Sequence, residues 1–147
     1  YSTTGNREID GVLNYMLQKA NKTLNQVDVQ INIPEDIYFN NFNICVILGN
    51  LVDNAVREAS KSEEKLLTIK MQVKQEVLLI FIENSYSGKI LEKRNGLQTT
   101  QPELAIHGIG LENVKKVVIA NGGEIKIDYT SNRFCVQVLL YMSRIKN

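Results

Sequence analysis

Two strand-length segments stand back to back in this chain: LLTIKMQVK at 66–74, and 76–84 with VLLIFI at its centre. Only Gln75 separates them. Segments that close can pair only as an antiparallel hairpin. VLLIFI is also the longest unbroken apolar run. It is too short to cross a membrane as a helix and has the character of a central strand. The fold must therefore be built around a hairpin whose second strand is central.

The flanking segments alternate between helical and strand periods. Ile9, Val12, Leu13, Met16, Leu17, Ala20 and Leu24 recur at helical spacing across 9–24. Val27, Val29, Ile31 and Ile33 alternate as in a strand, which Pro34 ends. The clearest helix covers 41–60, with Ile44, Leu48, Leu51, Val52, Ala55 and Ala59 within one face at about 100° per residue. A further helix is predicted over 110–120, through Leu111, Val114, Val117 and Val118. Asn121-Gly122-Gly123 stops it. Strands at 124–130 and 133–142 finish the chain, joined by a turn at Thr130-Ser131-Asn132. With strands in hairpin pairs and helices between them, the order implies an α+β two-layer sandwich, one sheet face covered by helices.

Composition limits the partners. A chain of 147 residues with 44% hydrophobic residues builds one ordinary domain. A net charge of +1, with both signs interspersed, gives neither a nucleic-acid footprint nor a polybasic membrane patch. No segment reads as a signal peptide or a membrane span. Cys45 and Cys135 sit far apart in apolar runs, and are expected to be buried thiols in a reducing compartment. The chain opens on Tyr1 rather than Met, as expected of a piece of a longer protein.

Residues 85–107 are polar, hold Gly88, Gly96 and Pro102, and lack any period. A loop of that length in a compact domain is usually functional or mobile. It leads into AIHGIGLENVKK, where Gly108 and Gly110 precede a helix, an arrangement that brings backbone N–H groups close to phosphate. The P-loop pattern G-x-x-x-x-G-K-[ST] is absent. A dinucleotide fingerprint would need a third glycine where Asn113 stands and a strand where TTQPELAIH stands, although Asp128 does follow at a suitable distance. The remaining reading is a lid closing over a nucleotide, with Gly108 and Gly110 at the phosphates.

Such a lid needs partners. Asn50, Asn54 and Arg57 are spaced i, i+4, i+7 and are expected on a face opposite the apolar stripe. They could be a plain solvated face. As chemistry, an amide oxygen suits Mg²⁺, and an arginine one turn on could reach a phosphate. IFIENSYSG runs from core into Asn84, Ser85 and Gly88, either an ordinary turn or a strand end that reads an adenine edge.

In order and spacing these pieces resemble the GHKL ATPase superfamily, over essentially the whole chain. ILGNLVDNAVREA resembles its N-box, IENSYSG its first glycine box (family form D-x-G-x-G), and HGIGLENVKKVV its second. TGN at 4–6, ILGNLVDNA, ENSYSG and HGIGL are similar to the sensor histidine kinases that receive peptide pheromones, the accessory-gene-regulator and competence receptors. The resemblance implies a mixed sheet of about five strands and an ATP lid over 85–107. Residues 1–26 would lead from a dimerisation domain and 27–147 would form the catalytic domain. Asn54 would hold Mg²⁺ bridging the ATP phosphates, Asn50 would line the same site, and Arg57 would touch phosphate. Gly108 and Gly110 would offer N–H groups, with His107, Leu111 and Gly88 also at the nucleotide.

Three departures stand out. Asn84 replaces the Asp that accepts the adenine amino proton, so adenine would be held without a charge. Tyr86 replaces the middle glycine, and the lid has no Phe. Asn50 occupies the place of the general-base Glu of hydrolysing members, which favours a kinase over an ATPase. The sole histidine, His107, sits in the lid rather than in an acceptor helix. The implied protein is the ATP-binding domain of a membrane-bound sensor kinase, a monomer lying on the cytoplasmic side without membrane contact of its own. It would phosphorylate a histidine on a separate dimerisation domain and serve a response regulator. The rivals are an anti-sigma-factor type serine kinase and an interaction module with a decayed nucleotide site.

Overall fold

The computed structural model describes residues 4–34, 37–38, 40–87, 111–141 and 143–144. The hairpin that constrains the sequence is its centre. Strand β3 (Leu66–Lys74) and strand β4 (Val77–Ser85) are antiparallel, in register from Leu67↔Asn84 to Lys74↔Val77. The turn has two residues rather than one, because Gln75 and Glu76 both adopt left-handed backbone, φ 53° and 65°. Positive φ at both positions matches the right-handed twist of the strands, at some cost for residues with a Cβ.

Strand β1 (Gln26–Asn32) lies parallel to β3, Gln26 opposite Leu66 and Asn32 opposite Gln72. This is the crossover that helix α2 (Asn41–Ser60) makes possible. Strands β5 (Glu124–Tyr129) and β6 (Arg133–Tyr141) form the second hairpin, and β6 completes the other side of β4. The order β1-β3-β4-β6-β5 gives a mixed five-stranded sheet with β4 in the middle. Beside it, β2 (Ile37–Tyr38) and β7 (Ser143–Arg144) form a small antiparallel pair that the sequence pattern did not suggest.

Alternation decides which face is covered. Leu67, Ile69 and Met71 of β3, Leu78, Ile80 and Ile82 of β4, and Phe134, Val136, Val138 and Leu140 of β6 are all buried. They meet the buried residues of α2 and those of helix α1 (Arg7–Thr23), namely Ile9, Leu13, Leu17 and Ala20. The TGN segment is the start of α1: Thr4 bonds Asp10, and the Asn6 side chain accepts from Glu8 and Ile9 N–H groups, capping the helix. Helix α3 (Glu112–Ala120) completes the layer through Val114 and Val118. Its end is fixed as the sequence suggests. Gly122 takes φ +73°, the Gly123 N–H reaches Val118 O at 2.9 Å, and a Cβ at Gly123 would stand 2.3 Å from Leu139 O. Among the described residues no helix is long and apolar enough to cross a membrane.

Candidate functional site

Two hydrogen bonds set the frame of the site. The Ser62 and Ser85 hydroxyls meet at 2.7 Å, which pins the end of α2 to the end of β4. At the other end of α2, Asn43 Nδ2 donates to Asn121 Oδ1 at 3.0 Å, joining the start of α2 to the end of α3. The ends of α2 and β4 thus belong to one region of the domain.

Asn54 is buried there, 6% exposed, at the margin of the apolar face rather than opposite it. One turn earlier Asn50 is exposed and returns its Nδ2 to Val46 O at 2.8 Å, back-bonding its own helix. Arg57 lies over Asn54. Its Nη2 donates to Asn54 Oδ1 at 2.7 Å, while Nη1 is 3.5 Å from the Asp53 carboxylate. A buried amide oxygen here already faces a cation. The guanidinium keeps an exposed carboxylate beside it should it leave that oxygen.

Asn84 ends the buried row of β4. It is 3% exposed, between Leu67 of β3 and Phe134 of β6. Its Nδ2 donates to Ser85 O at 2.9 Å, so the amide N–H faces a carbonyl and the oxygen turns away as an acceptor. Ser85 is held by a dense local network: its Oγ accepts from Leu66 N–H at 2.8 Å, and Ser62 Oγ donates to Ala59 O at 2.7 Å. Tyr86, where a glycine was expected, is an anchor. It is 6% exposed, its hydroxyl donates to Thr130 O, and its ring meets Phe134 edge-on at 5.7 Å. Tyr129 stacks on the other side of Phe134.

Leu111, 1% exposed, stands immediately before α3, and no side chain caps that helix start. Gly88, His107, Gly108 and Gly110, with lid residues 88–107, lie outside the described residues. The structure brings Asn54 and Arg57 into contact on α2 and sets Asn84 near the end of β4, the strand end that the Ser62–Ser85 bond joins to the end of α2. Sequence reasoning missed Glu58, a turn past Asn54 and buried in the same arc.

Both cysteines are free and only partly buried, contrary to the expectation of buried thiols. Burial raises both thiols above their ordinary range; Cys135, also beside Glu83 and Asp128, is pushed up to about 11. Cys135 lies on the uncovered sheet face, in a shallow hollow of about 570 Å³ with Phe81, Glu83 and Gln137. That hollow includes none of the residues gathered around Asn54. Among the described residues no cluster of His, Cys, Asp and Glu forms a ready-made metal site.

The sequence model of the GHKL domain matches residues 39–141. The chain belongs to the GHKL domain family. No curated protein matches it by sequence. Solved structures similar to this GHKL domain include the Acinetobacter baumannii histidine kinase AdeS, at TM-score 0.69 and 19% identity, covering 94% of this chain and 64% of that one. The mycobacterial sensor histidine kinase MprB matches at TM-score 0.64 and 17% identity, over 95% of this chain and 96% of that one. Full-length ShkA in complex with AMPPNP matches at TM-score 0.67 and 14% identity, over 95% of this chain and 30% of that one. At these identities the shared property is the α+β fold of the histidine-kinase catalytic domain.

Proposed function

We propose that this GHKL domain is the ATP-binding catalytic domain of a sensor histidine kinase. The observation that carries the reading is Asn54. A buried amide oxygen faces a cation on α2, the helix whose end the Ser62–Ser85 bond joins to β4 beside Asn84. Stability alone gives no reason for an amide at that position.

Asn54 would hold Mg²⁺ through Oδ1, the acceptor that Arg57 now occupies, and the ion would neutralise charge on the transferred phosphoryl group. Arg57, released from Asn54, would retain Asp53 or turn to a phosphate. Asn84 would accept a proton of the adenine amine, and Gly108, Gly110 and the first turn of α3 would donate N–H groups to phosphate oxygens. His107, Leu111 and Gly88 would border the nucleotide, with Asn50 at its rim.

The acceptor would be a histidine on a dimerisation domain, reached through residues 1–26, with catalysis by 27–147. The parent would be a membrane receptor of the peptide-pheromone, quorum-sensing type that passes its phosphoryl group to a response regulator. ShkA, of the same fold, was solved with the ATP analogue AMPPNP, which favours a nucleotide over a decayed module. Tyr86 points the same way, because it replaces glycine as a hydrogen-bonded anchor rather than as an intruder.

Calorimetric titration with ATP, with and without Mg²⁺, tests this; the chain has no Trp for fluorescence. Mg²⁺-dependent binding is expected, weakened on the order of tenfold or more by Asn54→Ala. Absence of binding by the native domain at millimolar ATP overturns the reading.

A further inference from the structure

Among the described residues two buried side-chain polar atoms have no hydrogen-bond partner: Oε2 of Glu58 and the hydroxyl of Tyr129. Tyr129 stands in the cross-strand row Asn84–Phe134–Tyr129. Glu58 is one helical turn after Asn54 and one turn before Ser62, whose hydroxyl meets Ser85 beside Asn84. Both unpartnered atoms therefore sit on elements that meet around Asn84.

Glu58 is 9% exposed. Its other oxygen, Oε1, is 3.9 Å from Arg57 Nε and 3.9 Å from Lys61 Nζ. These are long contacts to side chains that lie mostly in water, and neither reaches Oε2. A buried carboxylate oxygen without a donor is unfavourable. Helix α2 does not need it, since Ala55 and Ala59 on either side fill the same layer with methyl groups. An acceptor left open beside a ligand site is suited to a donor carried by the ligand. Phosphate offers none and repels a carboxylate, whereas a nucleoside carries several N–H and O–H groups.

We propose that Glu58 is a nucleoside-binding residue of this site. Its Oε2 accepts a hydrogen bond from the nucleoside, either the adenine amine or a ribose hydroxyl. It thereby supplies the negative charge that Asn84, as an amide, does not. This rests on the ATP-binding reading above.

The test is calorimetry of the native domain, Glu58→Gln and Glu58→Met with four nucleotides: ATP, 2′-deoxy-ATP, 3′-deoxy-ATP and purine riboside triphosphate, which lacks the 6-amino group. Glu58→Met is expected to lose ATP affinity by roughly tenfold to a hundredfold, as for a charge-assisted bond, and Glu58→Gln by less. One analogue should bind the native domain and Glu58→Met equally, and the group it lacks is the donor. Should Glu58→Met fail to fold, Glu58→Gln carries the same comparison with its shape kept. Unchanged ATP affinity in the folded variants, or an equal loss for all four nucleotides, overturns this proposal alone. A native domain that binds none of the four overturns the ATP reading and this proposal with it.

Discussion

Helix α2 and strand β4 lie against each other throughout, yet their two ends are chemically different. At one end Ile44, Ile47 and Leu48 share a core with Leu78 and Ile80, and all five are at most 1% exposed. At the other end the same helix and strand, with Ser62 just past the helix, present Asn54, Glu58, Asn84 and Ser85, all of them buried. The apolar end stabilises the fold through area removed from water, about 25 cal/mol per Å². The polar end gains little, since each internal hydrogen bond replaces one to water and nets roughly 1 kcal/mol. It also holds an acceptor with no donor. A helix and strand under pressure only for stability would continue in Ile and Leu. On the proposed ATP-binding reading, the change of chemistry along two continuous elements is where the domain gives up stability for a ligand.

The comparison breaks first, if it is wrong, at the apolar end. Ile80 is fully buried in the central strand, paired with Met71 and Val138. Ile80→Ala should cost about 2–5 kcal/mol in denaturant unfolding, with the ATP affinity of the folded fraction unchanged. A cost below about 1 kcal/mol would show that this end is not the main source of stability. Ser85→Ala comes next. It leaves the Leu66 N–H without its acceptor and removes the link between Ser62 and β4, so about 1–3 kcal/mol should be lost. Asn84→Leu is the inverse of Ile80→Ala. Continuing the apolar row should leave stability within about 1 kcal/mol of the native domain while ATP binding falls below detection. A large loss of stability there would mean that Asn84 is kept for folding, and would remove its place in the site.

The same contrast explains what the sequence could reveal. Helix 41–60 was legible to the residue because Ile44, Leu48, Leu51, Val52, Ala55 and Ala59 recur on one face over its whole length. The two hairpins were legible because their strand-length segments stand close together, although Gln75 and Glu76 gave no turn signal and the β3–β4 turn was read one residue short. The parallel pairing of β1 with β3 was not, since nothing in an alternating strand names its partner across a helix. Strands β2 and β7, two residues each, carry no period at all. At the site, the residue types Asn54, Arg57 and Asn84 were visible, but burial was not. Asn54 is only 100° around the helix from Ala55, at the edge of the apolar arc, and Glu58 lies inside that arc. Angular position would have flagged both, had charge and amide not been read as signs of exposure. The Ser62–Ser85 and Tyr86–Thr130 contacts join distant segments, and no local pattern encodes them.

The smallest expected effect lies at the rim of the polar end. Arg133, at the start of β6, forms a two-pronged pair with Glu64 in the loop after α2, Nη1–Oε1 2.7 Å and Nη2–Oε2 2.9 Å. The hydrogen bond and charge of Arg133 hold the Glu64 carboxyl below its ordinary 4.5. A carboxyl lowered in the folded state stabilises above its unfolded value, and that stabilisation is lost as pH falls through the folded one. Solvent reaches both side chains, so screening leaves little of the pair. Glu64→Gln should therefore shift the melting temperature slightly at neutral pH and low salt. The shift should disappear in concentrated salt and as pH drops below the carboxylate range. If Glu64→Gln instead unfolded the domain as strongly as Ser85→Ala, the ends of α2 and β4 would be held from outside by an ion pair. The buried serine bridge would then be incidental, and the polar end would owe its composition to the loops around it rather than to a ligand between them.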